Sequence, residues 1–261
     1  MIPVAQITHW RQSAPWAADD DVEQDLVISR AVVEIFNTPY LRDRLAFRGG
    51  TALHKLVLSP ATRYSEDIDL VLLINQPVGP LFNALRDTLG WLSPDPNRNI
   101  GMFATMYFPF ETTAGNKRRL KVEIATRESF SAPHVIDVPF SVDSPFFKGT
   151  ASVRSYAVEE LLATKFRALY QRKKGRDLYD LWWAAQQKRV DFDQVYALFL
   201  EYWKNDANNP LMRRDVRANM AEKHQEGVFA EVKPLLTTAT PYDEAAAYAW
   251  FENTILPLFP I

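Results

Sequence analysis

The 261-residue sequence carries 30 basic against 32 acidic side chains, a formal net charge of −2, with 47% apolar and 24% charged residues. That balance belongs to folded globular chains and excludes a dominantly disordered state. It also supplies no global positive field, so any nucleic-acid contact must come from local patches. Cysteine is absent, which removes disulfides, thiolate zinc sites and cysteine nucleophiles and suits a reducing cytosol. No apolar run approaches the ~20 residues of a spanning helix, and the first twenty residues lack the basic start and apolar core of a signal peptide. The expectation is a soluble cytoplasmic monomer with no membrane contact.

The elements follow in chain order. Val22, Leu26, Val33 and Phe36 share one helical stripe and predict a helix over 21–36, stopped by Asn37-Thr38-Pro39. A short strand over 45–48 runs into Gly49-Gly50 and a helical stretch over 51–58. A loop over 59–66 leads to a strand over 67–74, and 78–91 reads as a helix. Pro94, Pro96 and Asn97 mark a loop. Residues 102–110 and 119–126 are β-like, the second setting Leu120, Val122 and Ile124 against Lys121, Glu123 and Ala125. Pro133, Pro139 and Pro145 predict a loop-rich stretch with short strands. From about Ser155 the texture turns helical, over 158–172, 177–187, 192–203, 211–223 and 242–254. The expected class is α+β: a mixed sheet flanked by helices in a domain of residues 1–153, then a helical domain of residues 154–261.

The densest chemical signal is RGGTALHKLVLSPATRYSEDIDLVLL, Arg48–Leu73. Gly49 and Gly50 stand at a strand-to-helix turn, where missing Cβ atoms let backbone N–H groups approach a phosphate. Asp67 and Asp69, two apart on a strand, present both carboxylates on one side while Ile68 and Leu70 face the other. Paired hard oxygen ligands of this kind suit Mg²⁺ ions that clamp the oxygens of a phosphoryl displacement. The competing reading is two solvated charges at a sheet edge. Glu123, between Val122 and Ile124, points to the same side as Lys121 and could bridge metals or accept a hydroxyl proton; as an isolated residue it is an exposed strand position. A second cluster, EELLATKFRALYQRKKGRDLYDLWW, places Lys165 inside an apolar stripe, where a cation needs an anion such as a triphosphate. It also puts Arg172, Lys173, Lys174 and Arg176 around a turn at Gly175, and Asp177 and Asp180 together at the next helix start. His9, His54, His134 and His224 are dispersed, without metal-ligand spacing. Trp182, Trp183, Phe192, Tyr196, Phe199, Tyr202 and Trp203 fall at helical spacing and read as core rather than as a base-stacking platform.

Arg48-Gly49-Gly50-Thr51-Ala52-Leu53, Arg63-x-Ser65-x-Asp67-Ile68-Asp69-Leu70, Lys121-x-Glu123-Ile124 and Lys165…Arg176-Asp177-x-x-Asp180-Leu181 together resemble the AbiEii/MenT-type nucleotidyltransferase toxins of the DNA-polymerase-β-like superfamily. The likeness runs in order over half the chain. The linker from Gly50 to Asp67 is longer than the superfamily's common spacing and marks 59–64 as an insertion. The resemblance implies a polymerase-β-like sheet with a helical C-terminal domain, and the toxin of a toxin–antitoxin or phage-defence pair. Such a toxin transfers nucleotides from a nucleoside triphosphate to the 3′ end of tRNA, blocks aminoacylation, and has its antitoxin encoded next door. By the same resemblance Gly49, Gly50, Thr51 and Ser65 would line the phosphate pocket and Asp67 and Asp69 would hold Mg²⁺. Lys165 would grip the triphosphate, Asp177 would complete the site, and Glu123 would be the third acidic group. The acceptor RNA would rest on Lys117, Arg118, Arg119 and Lys121 with Arg172, Lys173, Lys174 and Arg176. Two other readings stay open: transfer to a protein or small molecule, and a nucleotide-binding interaction protein without turnover.

Overall fold

The structure is a computed structural model that describes residues 2–58, 60–126, 135–187, 190–206 and 211–261. Ser59, Pro133 and His134 lie outside the described residues. The chain divides into two compact units, Met1–Tyr156 and Ala157–Ile261.

The first unit opens with α1 (Val4–Trp10) and α2 (Asp19–Asn37). Asp19, Asp20 and Asp21 occupy the first turn of α2, where negative charge meets the helix dipole favourably. From Val22 onward α2 is buried on nearly every side, including Glu23, Gln24, Asp25 and Ser29. It is therefore a central helix rather than the amphipathic one its apolar stripe predicts. Asp25 is satisfied there by the indole N–H groups of Trp10 (2.9 Å) and Trp16 (3.2 Å) and by the Lys55 ammonium (3.0 Å). Pro39 begins α3 (Pro39–Arg42) at a position where its missing N–H costs nothing.

Strand β1 (Leu45–Arg48) leads into α4 (Gly49–Ala52), which continues as one wider π turn, Leu53–Val57. Then come β2 (Asp67–Leu72), α5 (Val78–Thr88), β3 (Asn97–Ile100), β4 (Ala104–Glu111) and β5 (Lys117–Ala125). The sheet order is β1-β2-β5-β4-β3, and only β2 and β5 run parallel. Ile68, Leu70, Val122 and Ile124 are buried on one face, as the alternation predicts. Two expectations are corrected. Asn97 belongs to β3, an exposed edge strand with no apolar alternation to announce it. The proline-rich stretch after 134 is a long hairpin, β6 (Val135–Asp143) with β7 (Lys148–Tyr156), paired along nine residues. Pro139 is tolerated because a two-stranded ribbon consists of edges. The ribbon packs on the unit through β7, where the Ser155 hydroxyl donates to the Phe47 carbonyl (2.7 Å) and Asn37 to Thr150 (2.9 Å).

The second unit is helical: α6 (Val158–Gln171), α7 (Gly175–Gln187), α8 (Phe192–Asp206), α9 (Arg213–Gln225), a 3₁₀ segment at Val228–Leu235, and α10 (Glu244–Trp250). Phe166, Phe199, Phe251 and Phe259 are buried together at its centre, with the Phe166 and Phe199 rings 4.7 Å apart. A Cβ on Gly175 would stand 2.4 Å from the Val228 carbonyl, so only glycine lets α7 start against the 3₁₀ segment. Among the described residues, no helix is long and apolar enough to cross a membrane.

Candidate active site

Strands β1, β2 and β5 carry the polar face. Arg48 pairs in register with Asp69, Asp69 with Glu123, and Asp67 with Lys121. The period of two puts these side chains on the face opposite Ile68 and Val122. Gly49 has φ +79°, a left-handed conformation that glycine adopts without strain, and a Cβ there would stand 2.1 Å from Asp69 Oδ2. A Cβ on Gly50 would stand 2.4 Å from the buried Arg63 guanidinium and 3.3 Å from Ser65 Oγ. The Thr51 hydroxyl donates to the Asp67 carbonyl (2.5 Å) and lies 2.8 Å from Ser65 Oγ. Gly49, Gly50, Thr51, Ser65, Asp67 and Asp69 are thus brought into one corner.

Burial and the neighbouring Asp69 charge push the Asp67 carboxyl up to about 6, against the pull of Lys121. The Lys121 ammonium donates to Glu123 Oε2 at 2.7 Å and stands 3.9 Å from Asp67 Oδ2. Burial works to neutralise Lys121, yet the Glu123 hydrogen bond and the Asp67 charge hold its pKa above the ordinary lysine value. Among the described residues no three acidic or histidine side chains are gathered to hold a metal ion. Asp67 and Asp69 alone do fit Mg²⁺, which is usually held by one or two carboxylates together with substrate phosphates and water. Their crowded, poorly compensated charge is the feature a cation relieves.

On the β5 side of Asp67 a cavity of about 520 Å³ is lined by Gln24, Glu66, Asp67, Pro109, Lys117, Arg118, Arg119 and Lys121. Arg118 is anchored to Asp21 (3.0 Å) and Asp20 (3.8 Å), while the Arg119 guanidinium lies 4.7 Å over the Tyr107 ring.

In the second unit Lys165 is 6% exposed. Its ammonium lies 3.1 Å from Asp177 and 3.0 Å from Asp180, both fully buried. Arg172 closes over Asp177 with two hydrogen bonds, at 2.7 and 2.9 Å. Burial opposes ionisation of Asp177, but Lys165 and Arg172 outweigh it and hold the carboxyl below its usual range. The anion that the apolar stripe demands for Lys165 is therefore supplied by the chain itself. Lys173 pairs with Glu222 (2.8 Å) and Glu226 (2.7 Å), and Lys174 stands 3.7 Å from Glu231. Arg176 is half-buried on the first turn of α7.

Residues 30–250 match the family described as the nucleotidyl transferase AbiEii toxin of type IV toxin–antitoxin systems. The chain belongs to this family. Its members' fold recurs in solved structures similar to this AbiEii chain. MenT4, a nucleotidyltransferase toxin from Mycobacterium tuberculosis H37Rv, is 20% identical with a TM-score of 0.60, covering 99% of this chain and 97% of that one. A putative nucleotidyltransferase from H. pylori is 16% identical with a TM-score of 0.53, covering 89% and 91%. No curated protein matches. The mixed sheet flanked by helices and the helical C-terminal region are the architecture of these toxins. An AbiEii chain acts as a nucleotidyltransferase, takes a nucleoside triphosphate and is paired with an antitoxin.

One site feature escaped the sequence reading. Gln24 reads as the polar side of a helical repeat, because periodicity does not tell a buried amide from an exposed one. Only the burial of α2 on all sides brings it beneath the basic cavity.

Proposed function

We propose that this AbiEii toxin transfers a nucleotide from a nucleoside triphosphate to the 3′-hydroxyl of tRNA in the cytoplasm, and so blocks aminoacylation and translation, with its antitoxin encoded by the neighbouring gene. The observation that carries this reading is the pair Asp67 and Asp69 on one face of β2, with the Gly49-Gly50 turn on one flank and a basic cavity on the other. Asp67 and Asp69 would hold Mg²⁺. Bound there, the ion would neutralise the triphosphate and activate the hydroxyl. The backbone of the glycine turn, with Thr51 and Ser65, receives the phosphates. The 3′-oxygen attacks the α-phosphorus, the α–β bond breaks and pyrophosphate leaves. Glu123 is our candidate for the hydroxyl proton, since it is the acidic side chain of that face not assigned to the metal. The roles that resemblance gives Lys165 and Asp177 stay within the proposal, as does RNA contact by Arg172, Lys173, Lys174 and Arg176. The ion pairs of Lys173 and Lys174 are exposed, so water and salt screen them and they give way readily to phosphate.

The test incubates purified protein with each labelled nucleotide and a tRNA pool, before and after periodate oxidation of the 3′ end. Label should enter untreated tRNA alone, and Asp67→Asn and Asp69→Asn should each abolish it. Label in periodate-treated tRNA, or in protein, overturns 3′-end transfer.

A further inference from the structure

The cavity beside Asp67 contains a feature that phosphate binding does not use. Gln24 is 2% exposed, and among the described residues its Nε2 donates only two long hydrogen bonds, to the carbonyls of Glu66 (3.3 Å) and Arg119 (3.5 Å). Its Oε1 is buried without a hydrogen-bond partner among the described residues. A buried amide oxygen left unmade is costly, and so loosely held an amide turns toward a better donor at little cost. The walls around it are basic: Lys117 and Arg119 stand exposed at the rim, with Arg118 and Lys121 deeper, against the carboxylates of Glu66 and Asp67. The glycine turn lies on the β1 side of β2 and this cavity on the β5 side. A reacting group held at Asp67 thus has two separate approaches.

We infer that the cavity seats the 3′-terminal nucleotide of the acceptor strand, with Gln24 Oε1 accepting a hydrogen bond from that nucleotide while Lys117 and Arg119 hold its backbone phosphates. This rests on the proposed transfer to an RNA end and adds the residue that recognises that end. Single-stranded ends are where proteins reach unpaired base edges and 2′-hydroxyls, both of which present donors. Gln24 is accordingly a specificity residue for the acceptor and has no part in binding the donor triphosphate.

The experiment measures binding of a fluorescein-labelled single-stranded RNA 12-mer, and separately of a fluorescent nucleoside triphosphate, to the full chain. Gln24→Met keeps the volume and removes the acceptor. It should weaken RNA binding about tenfold and leave triphosphate binding within about twofold, which also shows that the variant is folded. Pro109→Trp, at the exposed rim, fills the cavity without touching the core and should abolish RNA binding with the triphosphate unaffected. A 12-mer with a 2′-deoxy terminal residue distinguishes donors: loss of the Gln24 effect assigns the bond to the 2′-hydroxyl, and its persistence assigns it to the base. Wild-type binding and transfer with both variants unchanged overturns this inference alone. A wild-type chain that neither binds nor extends RNA overturns it together with the function on which it rests.

Discussion

Gly49 shows how much of the site depends on a single missing atom. Its positive φ and its contact with Asp69 are one constraint: the turn that lets α4 begin also leaves room for the carboxylate. Gly49→Ala should therefore cost about 1 kcal/mol in stability from the left-handed backbone. It should cost far more in rate, about a hundredfold, because Asp69 must move aside. Thermal melting beside a transfer assay separates the two, and a variant of normal rate would show that Asp69 is free to shift. Lys165 poses the opposite case. Its removal leaves Asp177 and Asp180 buried with less compensation, so Lys165→Met should destabilise the chain by roughly 3–5 kcal/mol in urea unfolding. A variant of unchanged stability that loses triphosphate affinity would instead make the triphosphate its principal partner.

At the scale of elements, a buried lysine ties α9 to the end of α6. The Lys223 ammonium donates to the carbonyls of Leu169 and Tyr170 (2.9 Å to the latter), among the last of α6 and otherwise without helical donors. Burial pushes Lys223 down to about 8 from the ordinary 10.5, against the attraction of Asp177. In the window between those values the unfolded chain binds more protons than the folded one, so this lysine makes stability rise with pH there. The urea midpoint should climb between pH 8 and 10 more steeply in the wild type than in Lys223→Met. Equal slopes would remove the burial argument. The same scale explains what the sequence revealed. Elements with a clean period were legible: β1, β2, β5 and the helices α6 to α9, whose apolar faces pack on something. The β3 edge and the β6–β7 ribbon were not, because an exposed strand has no apolar alternation and prolines that break a central strand are harmless at an edge.

For the molecule as a whole, the order of polar motifs along the chain was enough to name the family, and the strand alternation to put Asp67 and Asp69 on one face. The partners of the charges were not legible. That Lys165 meets Asp177 and Asp180, and that Gln24 lies beneath a basic cavity, are facts of packing between separate elements, and a one-dimensional pattern carries no distances. The basic clusters were visible, but their neutralisation by Asp20, Asp21, Glu222 and Glu226 was not.

The parallel pairing of β2 with β5 has one more consequence. Parallel neighbours cannot be joined by a tight turn, and here α5, β3 and β4 all intervene before Lys121 and Glu123 arrive beside Asp67 and Asp69. A ribosome adding 5–20 residues per second needs several seconds to make that crossover. Throughout that interval the nascent chain has its aspartates but not the strand that completes their face. A nucleotidyltransferase whose polar face is shared by two such strands thus stays incomplete until the message has been read past β5.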